Sequence, residues 1–169
     1  MQDAITIILN RYDITGRYLD SQAVQKIDLY LQTGLQRIQI TELINNQASA
    51  IIKEASSQLY DEQPELLRPG GNSYTTRRYS ACLRDVEYYL RYATYAIIAG
   101  DTQILDERVL DGLRDTYNSL NVPIAPTLRV IQLLAEIIIE KFGNENSQTI
   151  EIIKQPFEYL IKTLSEKNI

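Results

Sequence analysis

The chain of 169 residues reads as an all-α domain on three observations. Apolar residues recur at three- and four-residue steps through most of its length, Gly and Pro fall mainly between those runs, and no β-rich segment alternates apolar with polar residues. The length suits one domain that buries about 70% of its unfolded surface, enough to enclose a ligand of several rings.

Each helix has its own signals. A first helix fits Gln2 to about Asp13 and stops at Thr15-Gly16, and Asp20-Ser21 then offers an N-cap for a second, which completes a helical hairpin. From Ser21 to Tyr60 the apolar steps run through Ala23, Ile27, Leu31, Leu35 and Ile38 and on to Ile51, Ala55 and Leu59. Gly34 is the expected joint between two helices, and Pro64 ends the run. Arg68-Pro-Gly-Gly-Asn72 favours an irregular turn in a loop over 64–73. Thr75 or Thr76 caps the next helix, which runs to Ala99 with Gly100 as its stop. Asp101 starts another helix through about Leu110, Gly112 separates it from one ending near Asn121, and Pro126 suits the first turn of a helix to Phe142. The stretch 144–155 is expected as a loop with at most one helical turn at 149–153, and the last helix as Pro156 to about Ser165, because proline fits a first turn better than an interior. Eight or nine helices is a globin-like number, although number alone fixes no topology.

Composition narrows function. Histidine is absent, which removes the commonest zinc and haem ligand, the commonest general base, and Ser-His-Asp or Cys-His catalysis in their usual forms. A net charge of -5 argues against nucleic acid as a partner. No run approaches the ~20 apolar residues of a membrane span, and the opening Met1-Gln-Asp-Ala-Ile-Thr6 lacks the basic region of a signal peptide. One cysteine forms no internal disulfide, which fits a reducing compartment.

That cysteine, Cys82, sits where positive charge and aromatic rings gather. Six of the 12 tyrosines lie between Tyr74 and Tyr95, and Arg77, Arg78, Arg84 and Arg91 face only Asp85 and Glu87 in an acidic chain. Helical geometry puts Arg78, Cys82, Asp85 and Tyr89 on one face, so a cation, a nucleophile and an anion line one groove. A planar, anionic ligand would suit it. The same spacing also suits a small core cysteine under a salt-bridged surface, with tyrosines as ordinary packing, and both readings stay open on spacing alone.

The block from Arg68 to Asp85, continuing through Tyr88-Tyr-Leu-Arg-Tyr92 to Asp101, resembles the phycobiliprotein family, in particular β subunits of the allophycocyanin branch. The opening hexapeptide, Gly16-Arg-Tyr-Leu-Asp20, Ile104 to Leu110 and Thr116 to Ile124 extend the resemblance over nearly the whole chain. It implies a phycocyanin-type fold: a single domain over 1–169, with a dimerisation hairpin over 1–31 and a globin-like pigment-binding body over 32–169. It also implies a non-enzymatic light-harvesting role in the phycobilisome core, passing excitation energy toward the photosystem II chlorophylls. The implied cofactor is one phycocyanobilin, a linear tetrapyrrole, held by a thioether at Cys82. Asp85 matches the family aspartate that accepts hydrogen bonds from the central pyrrole N–H groups. Arg77, Arg78 and Arg84 match residues that pair with the pigment propionates, and Arg84, two residues after Cys82, depends on its reach. Asn72 matches the asparagine that β subunits methylate, Tyr88, Tyr92 and Tyr117 are candidate walls, and no metal is implied. Phycocyanin and phycoerythrin β subunits carry a further bilin cysteine before the last helix. The stretch 143–155 has none, which favours the allophycocyanin branch. Asn121 stands where glycine is common in the family, a place where Asn also reaches positive φ.

The resemblance further implies an α-type subunit, or the α-like domain of the core-membrane linker, as partner, with Asp13 and Arg91 at the contact. The assembly would be a ring-shaped (αβ)3 unit joined by core linker proteins and peripheral to the thylakoid membrane. The expected location is the stromal face of a plastid thylakoid, favoured by the abundant Ile, Asn and Lys of an AT-rich genome such as a red-algal plastid, or the cytoplasmic face of a cyanobacterial one. The alternative from another class is a pigment-free, globin-like redox sensor using Cys82.

Overall fold

A computed structural model describes residues 2–143 and 146–166, and among them every regular element is a helix. α1 (Ala4–Ile14) starts where the Asp3 carboxylate accepts the Thr6 N–H at 2.7 Å, and α2 (Ser21–Gln32) where Asp20 accepts the Ala23 N–H at 2.9 Å. Both caps satisfy backbone donors that a helix start otherwise leaves free. At the joint to α3 (Gly34–Glu62), the buried Arg37 guanidinium donates to Thr33 Oγ1 and to the Tyr30 carbonyl at 2.7 Å, and lies 4.0 Å from the centre of the Tyr30 ring. The expected loop after Pro64 begins with a 3-10 turn, Pro64–Leu67. α4 (Thr76–Ala99) follows, capped by Thr75.

The body is built on α3, α4, α7 (Ile124–Phe142) and α8 (Ser147–Ser165), with α3 packed on both α4 and α7 and α8 packed along α7. Its core takes Ile44, Ile51 and Ala55 from α3, Ala93 and Ile97 from α4, Ile131, Leu134 and Ile138 from α7, and Ile153, Phe157 and Leu160 from α8. The hairpin contributes little. Among its described residues α1 buries none and α2 buries only Ala23.

Two expectations need correction. The last helix begins not at Pro156 but nine residues earlier: the Asn146 side chain accepts N–H groups of Gln148 and Thr149, and α8 then runs through Pro156 to Ser165. Proline in an interior removes one hydrogen bond and costs about 3 kcal/mol. Burial of Ile153, Pro156, Phe157, Leu160 and Leu164 along one continuous face outweighs that cost, since each large apolar side chain contributes roughly 1.5–3 kcal/mol. The segment after Asp101 also differs. It holds one α turn, α5 (Gln103–Leu105), and then a π-helical stretch, Asp106–Leu110, closed by Asp111 N–H donating to the Asp106 carbonyl at 3.0 Å. Tyr159 of α8 donates to the Asp106 carboxylate, with O–O distances of 2.7 and 2.9 Å, and pins the widened turn. α6 (Leu113–Ser119) leads to Asn121, which adopts φ 53 as its residue type allows.

Gly100 ends α4 at φ 64, and a Cβ there would lie 2.6 Å from the Tyr30 ring of α2. Gly100→Ala is therefore expected to lose about 1–2 kcal/mol for the left-handed backbone, plus a repacking cost at Tyr30. Urea unfolding of the variant should show a lowered midpoint; an unchanged midpoint would contradict the contact.

Candidate pigment site

The loop before α4 sets one wall of the site. The Gly71 N–H donates to the Arg68 carbonyl at 2.8 Å and the Ser73 N–H to the Leu66 carbonyl at 2.9 Å, folding the loop back over the 3-10 turn. A Cβ on Gly71 would sit 2.4 Å from the carbonyl oxygens of Glu65 and Leu66, so only glycine permits this approach. The fold-back presents Asn72 and Ser73 to a cleft of about 460 Å³, a size within the ordinary range for cofactor pockets.

The cleft lies along one face of α4. Arg78, Cys82, Asp85 and Tyr89 all line it, as their spacing predicts, and Arg77 and Arg84 stand at it as well. Leu59 and Tyr60 of α3, Tyr117 of α6, and the turn into α7 at Val122 and Pro123 close it. The arginines are exposed, whereas Tyr60, Ser73, Tyr89 and Tyr117 are buried. Cations thus rim a floor that is largely apolar and aromatic.

Two hydrogen-bonded chains run within it. The Tyr117 hydroxyl donates to Asp85 Oδ2 at 3.1 Å and shares a 2.5 Å hydrogen bond with the Tyr89 hydroxyl. Burial raises both phenols well above the ordinary tyrosine range, with the Asp85 charge adding to it, so they remain donors at any physiological pH. The other carboxylate oxygen, Oδ1, faces Arg84 Nη2 at 3.4 Å. On the far side of the thiol, the Tyr60 hydroxyl donates to Ser73 Oγ at 3.1 Å, and Ser73 Oγ donates to Cys82 Sγ at 3.3 Å.

Of the anticipated residues, Asn72, Arg77, Arg78, Cys82, Arg84, Asp85 and Tyr117 meet at this cleft. Tyr88 and Tyr92 do not line it in this chain. At 100° per residue Tyr88, six after Cys82, turns about 120° from its face whereas Tyr89 at seven returns to it, and Tyr92 lies about 15 Å farther along the helix axis. Tyr88 is instead exposed beside Arg91, whose guanidinium lies 4.8 Å from its ring centre. Tyr92 packs edge-on to Tyr95 at 5.5 Å. Asp13 is exposed on α1, and no ion pair joins it to Arg91 among the described residues. Sequence reasoning passed over Tyr60 and Ser73, since only the fold-back at Gly71 brings them to the thiol.

The described residues thus form a helical body whose cleft holds a thiol, a carboxylate one turn later and a cationic rim. A family model described as "Phycobilisome protein" matches residues 7–164, and the chain belongs to that family of light-harvesting pigment proteins. Over the full length of both chains it is 65% identical to "Allophycocyanin subunit beta-18" of Porphyra purpurea and 64% identical to the protein of the same name in Pyropia yezoensis. It is 54% identical, again over both full lengths, to "Phycobiliprotein beta chain" of Mastigocladus laminosus. These likenesses lend no support to a pigment-free redox sensor.

Proposed function

We propose that this chain is a non-enzymatic light-harvesting subunit of the phycobilisome core that carries one phycocyanobilin, covalently held at Cys82. The observation that carries this reading is the convergence of Cys82, Asp85 and the three arginines on one cleft. The donor set fits the group. A thiol supplies the thioether, Asp85 can accept pyrrole N–H groups, and Arg77, Arg78 and Arg84 can pair with propionates, each such charge-assisted bond being worth roughly 1.5–3 kcal/mol. Once bound, the pigment supplies the visible absorption; the residues hold it extended, and the Asp85 charge favours its protonated form. Tyr117, through its bond to Asp85, positions that carboxylate, and Asn72 is the residue at which side-chain methylation is expected.

The hairpin over 1–31 is read as the dimerisation element. Its exposed Leu9, Ile14, Val24, Leu29 and Leu31 continue into Leu35 and Ile38 at the start of α3, more apolar surface than a free hairpin tolerates. An α-type subunit, or the α-like domain of the core-membrane linker, is the proposed partner, with Asp13 and Arg91 at the contact, in a ring-shaped (αβ)3 unit. No helix among the described residues is long and apolar enough to cross a membrane, in keeping with a place peripheral to the thylakoid. Relatives such as that of Porphyra purpurea support a plastid's stromal face, while that of Mastigocladus laminosus keeps the cytoplasmic face of a cyanobacterial thylakoid in view.

The test is a visible spectrum of the native protein before and after acid-urea denaturation, with intact and peptide mass spectrometry. Strong red absorbance that survives as an adduct on the Cys82 peptide, and a methyl group on the Asn72 peptide, are expected. A colourless native protein with a freely titrating thiol would overturn the reading.

A further inference from the structure

The cleft holds a directed set of donors that pigment binding does not by itself explain. Tyr60 donates to Ser73 and Ser73 donates to Cys82 Sγ, a chain of two hydroxyls that ends on the sulfur. Both residues are buried, and Ser73 is held by the bond from its own N–H to the Leu66 carbonyl. Tyr60 is fixed further by its ring, stacked on Tyr79 at 5.4 Å. One helical turn before Tyr60, Ser56 also lines the cleft. Its buried Oγ has no hydrogen-bond partner among the described residues.

We infer that Ser73, backed by Tyr60, is a positioning residue for thioether formation, donating a hydrogen bond that stabilises the Cys82 thiolate as it attacks. The inference rests on the pigment reading above. A sulfur that accepts a hydrogen bond gains more from it as an anion than as a thiol, and a donor that is itself hydrogen-bonded polarises further. Tyr60 suits the outer place, because burial pushes its phenol up to about 12 and it remains a donor into alkaline solution. In the step served, the sulfur electron pair forms the S–C bond to the exocyclic carbon of a vinylic C=C on the pigment. The thiol proton leaves to solvent and a proton is returned to the neighbouring ring carbon. S–H is added across one double bond, with no oxidant or reductant.

The test uses the full chain made without pigment, in which Cys82 is the single thiol. Iodoacetamide reports its reactivity by mass, and phycocyanobilin reports adduct formation that withstands acid urea. At pH 7, Ser73→Ala is expected to slow alkylation about tenfold and Tyr60→Phe about threefold, while Ser73→Thr restores the wild-type rate. In strongly alkaline solution the rates should converge, since the thiolate then forms without its donor. The other charged or titratable groups lining the cleft are Arg77, Arg78, Arg84, Asp85 and Tyr89 of α4 and Tyr117 of α6; the variants leave them in place, so their effects cancel. Circular dichroism checks the fold, and Tyr60→Phe keeps the stacked ring if Ser73→Ala misfolds. Equal rates at pH 7, or a Ser73→Ala deficit that persists in alkali and so reports access, would overturn the inference. Ordered alkylation rates in a wild-type protein that forms no pigment adduct would remove the pigment reading and leave the thiol chemistry standing.

Discussion

Replacing Cys82 by alanine is expected to abolish covalent pigment completely while the helical body persists. The sulfur is half-buried and accepts a hydrogen bond from Ser73, so its loss costs on the order of 1 kcal/mol, a small part of the 5–15 kcal/mol that holds a domain of this size together. Attachment has no substitute, because the chain holds no second thiol. The measurement pairs absorbance and intact mass after acid-urea denaturation with a urea unfolding curve. No adduct mass and a midpoint near wild type are expected. Pigment that stays bound through denaturation would show that another side chain carries it.

Asp85→Asn is expected to have the largest spectral effect of any change that leaves the thioether in place. The substitution keeps size and an acceptor for the Tyr117 hydroxyl, so the pocket wall should stand, but it removes the one acidic side chain that lines the cleft among the described residues. A protonated, cationic chromophore loses its counter-charge, and the pigment's own pKa falls. Absorbance should weaken or shift to the blue, and fluorescence should drop as the rings gain torsional freedom, while Cys82 and the arginines still retain the pigment. A pH series separates this from a structural defect: acid should restore part of the red absorbance by protonating the pigment directly. Were Asp85 only a surface partner of Arg84, which it faces at 3.4 Å with most of the arginine exposed, the pair would be worth about 0–1 kcal/mol and be spectrally silent. An unchanged spectrum and fluorescence yield at every pH would take Asp85 out of the site.

Much of this was legible in the chain because it depends on local physics. The caps at Asp20 and Thr75, the left-handed stop at Gly100 and the positive φ of Asn121 follow from what those side chains do to their own backbone. The shared face of Arg78, Cys82, Asp85 and Tyr89 follows from the 3.6-residue period alone. The same period turns Tyr88 away from the thiol, and the rise of ten residues carries Tyr92 about 15 Å along the axis beyond it.

What the sequence could not decide turns on contacts between distant segments. Pro156 reads locally as a helix start; only the burial of Ile153, Phe157 and Leu160 against the other helices outweighs the lost backbone bond and keeps α8 continuous. The π turn at 106–110 is pinned by Tyr159, 53 residues away, and a local pattern carries no trace of such a partner. The donors to sulfur come from α3 and from a loop folded back at Gly71, so Tyr60 and Ser73 reach Cys82 only after the chain has closed on itself. The residue types of the site were thus a property of the sequence, set by short-range spacing. The partners in its hydrogen bonds were settled by tertiary packing, because hydrogen bonding needs atoms within about 3 Å and the folded loop and packed helices bring them there.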